Sequence, residues 1–424
     1  MGSILIKEEK VSERKPTAEE HRELNEEFAA HNYDPYPVVV VRGKGVWLWD
    51  VNGKKYIDCL GCYSAVNHGH CHPRIVKVAK KQVGLLTAIP GCLLHDQSGP
   101  FYRALAMLCR KDKVLPASGG AEAVEKALKV IRKWGEKVKK IPENKTEIIT
   151  FRGNFHGRTI GILSFSTEAQ YRDGFGPFLP GFAPPVPYGD LAALKAAITP
   201  NTAGILIEPI QGEGGINVPP KGYLVSVREL CTKNNVLMVA DEIQTGLGRT
   251  GKVFCCDHEY VVPDIYILGK ALGGGFCSSA IVGNDDIMNV MTPGDDGSTF
   301  GRNPFNCAVG HEALKVLLEE RLSENAAKMG AYFRKQLRNM NSPHVKEVRG
   351  KGLLIGVEIH PESGTAANFV KELIKAGVIV QCTHRNTVRF APPLTITQKE
   401  VDLAMKRIRK VFLSPYKLLK KLGW

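Results

Sequence analysis

Between residues 72 and 290 short apolar runs alternate with helical stretches, and this alternation leaves few folds open to the chain. The runs fall at 147–151, 204–207, 236–240 and 265–268. Each is too short to be a buried helix and is apolar along most of its length rather than at every second position. Runs of that kind read as strands buried on both faces, in a mostly parallel sheet covered by helices on either side. The expected fold class is therefore α/β.

The flanks read differently. Residues 17–31 form a charged helical stretch, and 38–58 alternate apolar and polar residues around Asn52-Gly53, a hairpin signal. After Pro304 a helical stretch at 307–340 leads into an apolar run at 348–359. A helix ending at 371–377, two short strands around Val378 and Val388, and a last helix from Gln398 complete a separate α+β domain. The expected division is an N-terminal segment 1–71 packed with the small domain, a large domain 72–306 and the C-terminal small domain 307–424.

A chain of 424 residues, 43% hydrophobic and 24% charged, can bury two such cores. Its net charge of +14 raises the question of nucleic acid. The basic clusters, at 132–140 and 417–421, are local and lack interleaved aromatics, so no nucleic-acid partner is expected. No apolar stretch is long enough for a membrane span, and the first residues carry neither a signal core nor a transit pattern. The expected address is cytoplasmic, or mitochondrial if a leader has been removed. Cys59, Cys62, His68, His70, Cys71 and His72 invite a zinc reading, but the second half of the cluster is too crowded for tetrahedral spacing, and no metal is expected.

Chemistry enters at the ends of the apolar runs. In VLMVADEIQTG the run delivers Asp241 and Glu242 at its carboxyl end, the edge at which open α/β sheets bind ligands; a helix cap would explain Asp241 equally well. In IYILGKALGGG a second run is followed by Lys270. Burial lowers a lysine's pKa and makes it a usable nucleophile for a carbonyl, whereas a surface lysine beside a flexible turn would have no such role. Ser118-Gly119-Gly120-Ala121 precedes a helix beginning near Glu122, where free backbone N–H groups favour an anion. An amine, a carboxylate and a phosphate cradle together are what pyridoxal 5'-phosphate requires. The rival motif at Gly246–Lys252 matches a nucleotide loop up to its lysine, but Val253 stands where a magnesium-binding hydroxyl is needed. Arg158, Glu213 and Arg389 are candidates for reading substrate carboxylates, although each could be a structural ion pair.

The strings EPIQGEGG, ADEIQTGLGRTG, LGKALGGG and GSTFGRNP together resemble the class III, or ω-amino-acid, aminotransferases of fold type I. The likeness runs from about Asn32 to the end of the chain. Within that class AHNYDPYPVVVVRGKGVWLWD, YSAVNHGHCHP, GFGPFLPGF and VRFAPPL resemble the ornithine δ-aminotransferases more than the acetylornithine or 4-aminobutyrate families. The resemblance implies a seven-stranded, mostly parallel sheet in the large domain and a homodimer with active sites at its interface. It implies Lys270 as the Schiff-base lysine and proton carrier, Asp241 as the partner of the pyridine nitrogen, and Gln244 as a hydrogen bond to the phenolic oxygen. Gly120 and Ala121 would contact the phosphate, Phe155 would stack on the ring with His156 beside it, and Thr299, with Ser298 adjacent, would reach the phosphate from the partner subunit.

For substrates, the resemblance implies that Tyr63 and Arg158 hold the α-carboxylate and α-amino end of ornithine. Glu213 would pair with Arg389 while ornithine is bound and swing away when 2-oxoglutarate binds, leaving Arg389 for the dicarboxylate. Departures from the ornithine pattern lie near the substrate: Leu93 and Leu94 stand where an aromatic pair is usual, Ser118-Gly119 replace Asn-Thr, and Arg302 replaces a glycine. Phe276-Cys277-Ser278-Ser279 stand where a Tyr-Pro segment is common, and His156 replaces a bulkier aromatic. These changes leave N-acetylornithine, 4-aminobutyrate, lysine or a polyamine as alternative donors, and a racemase, a decarboxylase or a non-catalytic family member as alternative roles.

Overall fold

The structure, a computed structural model, describes residues 16–384 and 386–415; the basic cluster at 417–421 lies outside them. Its centre is a six-stranded sheet in the spatial order Lys113–Ala117, Ser279–Gly283, Ile265–Leu268, Leu237–Asp241, Thr202–Ile207, Glu147–Ile149. The last four pair in parallel, and Ser279–Gly283 runs antiparallel to both of its neighbours. All four apolar runs are strands of this sheet. Lys113–Ala117 and Ser279–Gly283 are additional to them.

The seventh position is occupied by backbone that is not a regular strand. Phe182 and Val186 form isolated parallel bridges to Ile148 and Phe151. Ala183 N donates to Ile148 O at 3.0 Å, and Val186 N donates to Thr150 O at 2.9 Å. Pro184, Pro185 and Pro187 interrupt this segment. With no N–H at those positions a continuous ladder cannot form.

Both faces of the sheet are covered. Helix Gly120–Lys137 buries Ala123, Val124, Ala127, Ile131 and Trp134, the spacing of one helical face. It comes close to the sheet: a Cβ on Gly204 would stand 2.8 Å from Ile131 Cγ2, and one on Gly135 would stand 2.8 Å from Ala203 Cβ. On the opposite face helix Tyr223–Lys233 packs Leu224, Val227 and Cys231 against Ile205, Ile207 and Met238.

The smaller domain holds an antiparallel sheet in the order Val345–Lys351, Leu354–Ile359, Thr387–Phe390, Gln381–Thr383. Helices Leu322–Arg338, Ala366–Lys375 and Gln398–Phe412 contribute Phe333, Phe369 and Phe412 to the same core. The helical stretch at 307–340 is two helices, Pro304–Glu319 and Leu322–Arg338, broken at Arg321, whose φ of 52° is left-handed. The expected hairpin is present as Trp47–Asp50 and Lys55–Asp58, extended to a three-stranded meander by Val40–Lys44. Val378–Ile379 adds to it in parallel, so that the N-terminal strands and the C-terminal third share one sheet. Among the described residues no helix is long and apolar enough to cross a membrane.

Candidate active site

Two neighbouring parallel strands set the site. Asp241 ends Leu237–Asp241 and lies opposite Ile267 of Ile265–Leu268, after which Gly269 leads directly to Lys270. Both side chains thus leave the sheet at its carboxyl edge. Lys270 has a φ of 46°, a left-handed conformation that costs a non-glycine residue about 1–3 kcal/mol and recurs at functional sites. Burial pulls its pKa down, and the charge of Arg389 adds to that shift. The carboxylates of Glu213, Asp241 and Glu208 oppose it without cancelling it.

Asp241 is held on two sides. His156 Nδ1 lies 2.6 Å from its Oδ2, and Ile243 N donates to its Oδ1 at 3.0 Å. Burial alone would push His156 toward its neutral form. The hydrogen bond and charge of Asp241, with the charge of Glu208, outweigh burial and raise the imidazole's pKa. The His156–Asp241 contact is buried on both sides, so the imidazole stands directly behind the carboxylate and fixes its orientation.

The anticipated cradle is the N-terminus of helix Gly120–Lys137, with Gly119 as its cap. Ser279 Oγ donates to Gly119 O at 2.7 Å and fixes that peptide. Ser118 N and Gly119 N donate to the Glu122 carboxylate at 2.9 and 3.4 Å. Ser118 Oγ is buried with no partner among the described residues. A Cβ on Gly120 would stand 3.3 Å from Ile243 Cδ1, so the helix terminus sits against the loop that follows Asp241.

A second group gathers on the other side of Lys270. Arg389, on Thr387–Phe390, is 0% exposed and forms an ion pair with Glu213. Gln244 Nε2 donates to Glu213 Oε1 at 3.2 Å, while its Oε1 accepts from Arg389 Nη1 at 3.4 Å. Burial works against the Glu213 carboxylate, yet Arg389, Lys270 and Gln244 together bring its pKa below the ordinary value. Arg389 Nε and Nη2 are buried without a partner among the described residues, leaving one edge of the guanidinium uncommitted. Its carbon lies 5.3 Å from the centre of the Tyr63 ring. Tyr63 stands in a left-handed run with Cys62 and Ser64, and its neighbours in the field include Tyr33 as well as Glu213.

Arg158, Leu93 and Leu94 lie further out, whereas Ser298 reaches the cradle of its own chain. Arg158 is exposed and sits 4.4 Å over the Tyr171 ring and 5.8 Å from the Phe155 ring. Ser298 Oγ accepts from Gly301 N at 3.2 Å and also bonds Glu122, while Thr299 is exposed beside it. Leu93 and Leu94 are 54% and 86% exposed and do not join the cluster within one chain.

Residues not anticipated as part of the site tie it together. Glu208 is buried and accepts from Phe155 N at 2.9 Å and Gly212 N at 3.0 Å. Thr383 Oγ1 donates to Glu213 O at 2.6 Å. Arg249, inside the string weighed as a nucleotide loop, is fully buried. It donates to Leu353 O at 3.0 Å and to Pro392 O and Asn67 Oδ1 at 2.6 Å each. In the cysteine–histidine cluster His70 Nε2 lies 2.7 Å from Asp58 Oδ2, and His68 Nε2 lies 2.9 Å from Ala313 O. These contacts depend on the folded neighbours of each side chain. The one sequence signal was that Glu208 and Arg249 stand within motifs already singled out.

Residues 28–412 match the family described as "Aminotransferase class-III". The chain belongs to the class III aminotransferases. It is 51% identical over 390 residues to an ornithine aminotransferase of a Geobacillus species (strain WCH70), covering 92% of this chain and 97% of that protein. The ornithine aminotransferase of Toxoplasma gondii superposes with a TM-score of 0.93 at 43% identity, covering 95% of this chain and 96% of that one; its structure records partial occupancy of PLP at the active site. An acetylornithine aminotransferase from Elizabethkingia anophelis superposes with a TM-score of 0.85, also at 43% identity, covering 94% of this chain and all of that one. Class III aminotransferases depend on pyridoxal 5'-phosphate. The residues here fit that cofactor: a lysine with lowered pKa, a buried carboxylate paired with an imidazole, and a glycine-capped helix terminus beside an unpartnered serine hydroxyl.

Proposed function

We propose that this class III aminotransferase transfers the δ-amino group of L-ornithine to 2-oxoglutarate. The products are glutamate and glutamate 5-semialdehyde, and the semialdehyde cyclises to pyrroline-5-carboxylate without help from the protein. The observation that carries this reading is the ion pair of the half-buried Glu213 with the buried Arg389 beside Lys270. A transaminase must accept two substrates of different charge in one pocket, and a carboxylate that can either cover or release an arginine provides for both.

Pyridoxal 5'-phosphate, when bound, supplies the aldehyde that takes up the amine and the ring that withdraws electrons from the reacting carbon. The protein contributes the rest. Lys270 Nζ holds the cofactor at rest and, once released, moves a proton at the substrate carbon bearing the reacting nitrogen. Asp241, its Oδ2 held by His156, would keep the pyridine nitrogen protonated. Gln244, which donates to Glu213, would also serve the phenolic oxygen and so link the cofactor to the charge switch. Gly120 and Ala121 would offer backbone N–H groups to the phosphate, and Phe155 would help to hold the ring. Tyr63 and Arg158 receive the α-carboxylate and α-amino end of ornithine. Glu213 covers Arg389 during that half of the cycle and uncovers it for the α-carboxylate of 2-oxoglutarate.

The working unit in this reading is a homodimer in which Ser298 and Thr299 of one subunit approach the phosphate held by the other. Leu85, Leu93, Leu94 and Phe300 are exposed large apolar side chains that a subunit contact at this place would cover. The test is incubation of purified protein with L-ornithine and 2-oxoglutarate. Glutamate and the cyclic imine should form in equal amounts, and failure to form either would refute the assignment.

A further inference from the structure

We propose that Glu208 is a positioning residue whose single carboxylate yokes the two walls of the active site, Phe155 on one side and the Glu213 loop on the other. The inference rests on the reading of Glu213 and Arg389 as a charge switch.

Glu208 follows immediately on Thr202–Ile207 and is 7% exposed. One oxygen accepts from Phe155 N at 2.9 Å and the other from Gly212 N at 3.0 Å. Phe155 precedes His156, the partner of Asp241, and Gly212 precedes Glu213, the partner of Arg389. The carboxylate is therefore one residue removed from both halves of the machinery. Its own backbone is anchored, since Tyr188 Oη donates to Glu208 O at 2.8 Å. The two loops also meet directly, with Gln211 Nε2 donating to Arg152 O at 2.7 Å. Gly212 lies close against Gln244: a Cβ there would stand 2.0 Å from Gln244 Oε1.

The residue type matches the task. A carboxylate offers two acceptors and no donor, which suits two converging backbone N–H groups. A buried ionisable group is costly when it only fills space, and an apolar side chain would serve packing better. Glutamine keeps one acceptor but turns an NH2 toward the other N–H, so one wall is released. Aspartate keeps the charge but is one methylene shorter and cannot span both amides.

The test uses full-length holoenzyme carrying Glu208→Gln or Glu208→Asp, with two readouts. The first is the rate at which bound cofactor is lost on dilution, followed by its absorbance. The second is the ratio of the ornithine and 2-oxoglutarate half-reaction rate constants under single turnover. Burial raises the Glu208 carboxyl from 4.5 to about 7, so both readouts are taken at about pH 8.5, where it is a carboxylate; in Glu208→Gln cofactor loss should then quicken roughly ten-fold and the ratio should shift roughly ten-fold against ornithine, as expected for one lost charge-assisted bond. Glu208→Asp should move both readouts in the same direction by less. A folded variant with an unchanged ratio would overturn the proposal, even if its Tm falls, because a purely structural role slows both halves alike. If Glu208→Gln does not fold, Glu208→Asp decides by the same ratio. If the unmodified enzyme does not react with ornithine, the substrate reading fails instead, and unaltered cofactor loss in the variants would still refute the role of Glu208.

Discussion

Asp241 and Glu242 are adjacent in sequence and serve opposite sides of one strand end. Asp241 meets His156 in the site, whereas Glu242 turns away and accepts from Cys256 N at 2.9 Å and Thr245 Oγ1 at 2.5 Å. Burial pushes the Glu242 carboxyl from 4.5 up to about 7, against the pull of those donors. The folded state therefore binds this proton more tightly than the unfolded state. The resulting stabilisation is complete below about pH 4.5 and is lost as pH rises through about 7. Urea midpoints at pH 5 and pH 8 should differ less in Glu242→Gln than in the unmodified protein. An equal difference in the two would show that Glu242 does not titrate in this window. Lys270 and Asp241 could be singled out because each follows an apolar run, whereas Gln244 and the pairing of Glu213 with Arg389 were expected only from the family resemblance. Glu208 stood in the string EPIQGEGG, but its partners are backbone N–H groups, which no residue pattern displays.

Helix Gly120–Lys137 links element to function, since its terminus is the proposed phosphate cradle and its face packs on the sheet that presents Asp241 and Lys270. Ile131, 0% exposed, lies over Gly204 at the closest approach of helix to sheet. Ile131→Ala removes packed methylenes at a point where the backbone cannot easily close the gap, at a cost of about 2–5 kcal/mol. Equilibrium urea unfolding checks this, and a loss below about 1 kcal/mol would mean that the contact is not a tight one. At this scale the four uniformly apolar runs were readable as strands. Lys113–Ala117 was not, because Pro116 interrupts it, nor was Ser279–Gly283, which follows a glycine-rich turn. The segment at 182–186 shows the limit of a strand count, since prolines leave it beside the sheet without a full ladder.

Over the whole molecule, Leu93 and Leu94 join sequence to assembly. Their place in the sequence suggested a substrate wall, yet in one chain they lie on the surface with Leu85 and Phe300. In the proposed homodimer a second copy of the chain would bring them to a site, and a single sequence carries no direct sign of such a copy. Sedimentation equilibrium should return twice the 46.5 kDa chain mass, and Leu94→Arg should shift the population toward the single chain. A monomer that retains full activity would contradict the dimeric site.

The choice of donor is tested most directly by single-turnover mixing of the cofactor-loaded enzyme with L-ornithine, N-acetylornithine, 4-aminobutyrate or L-lysine in separate runs, following the cofactor's visible absorbance. Conversion by ornithine at least ten-fold faster than by the other donors is the expected result, a difference of about 1.4 kcal/mol in barrier height. Comparable rates with several donors would replace the ornithine assignment with a broad ω-aminotransferase, and no conversion by any donor would contradict the assigned activity.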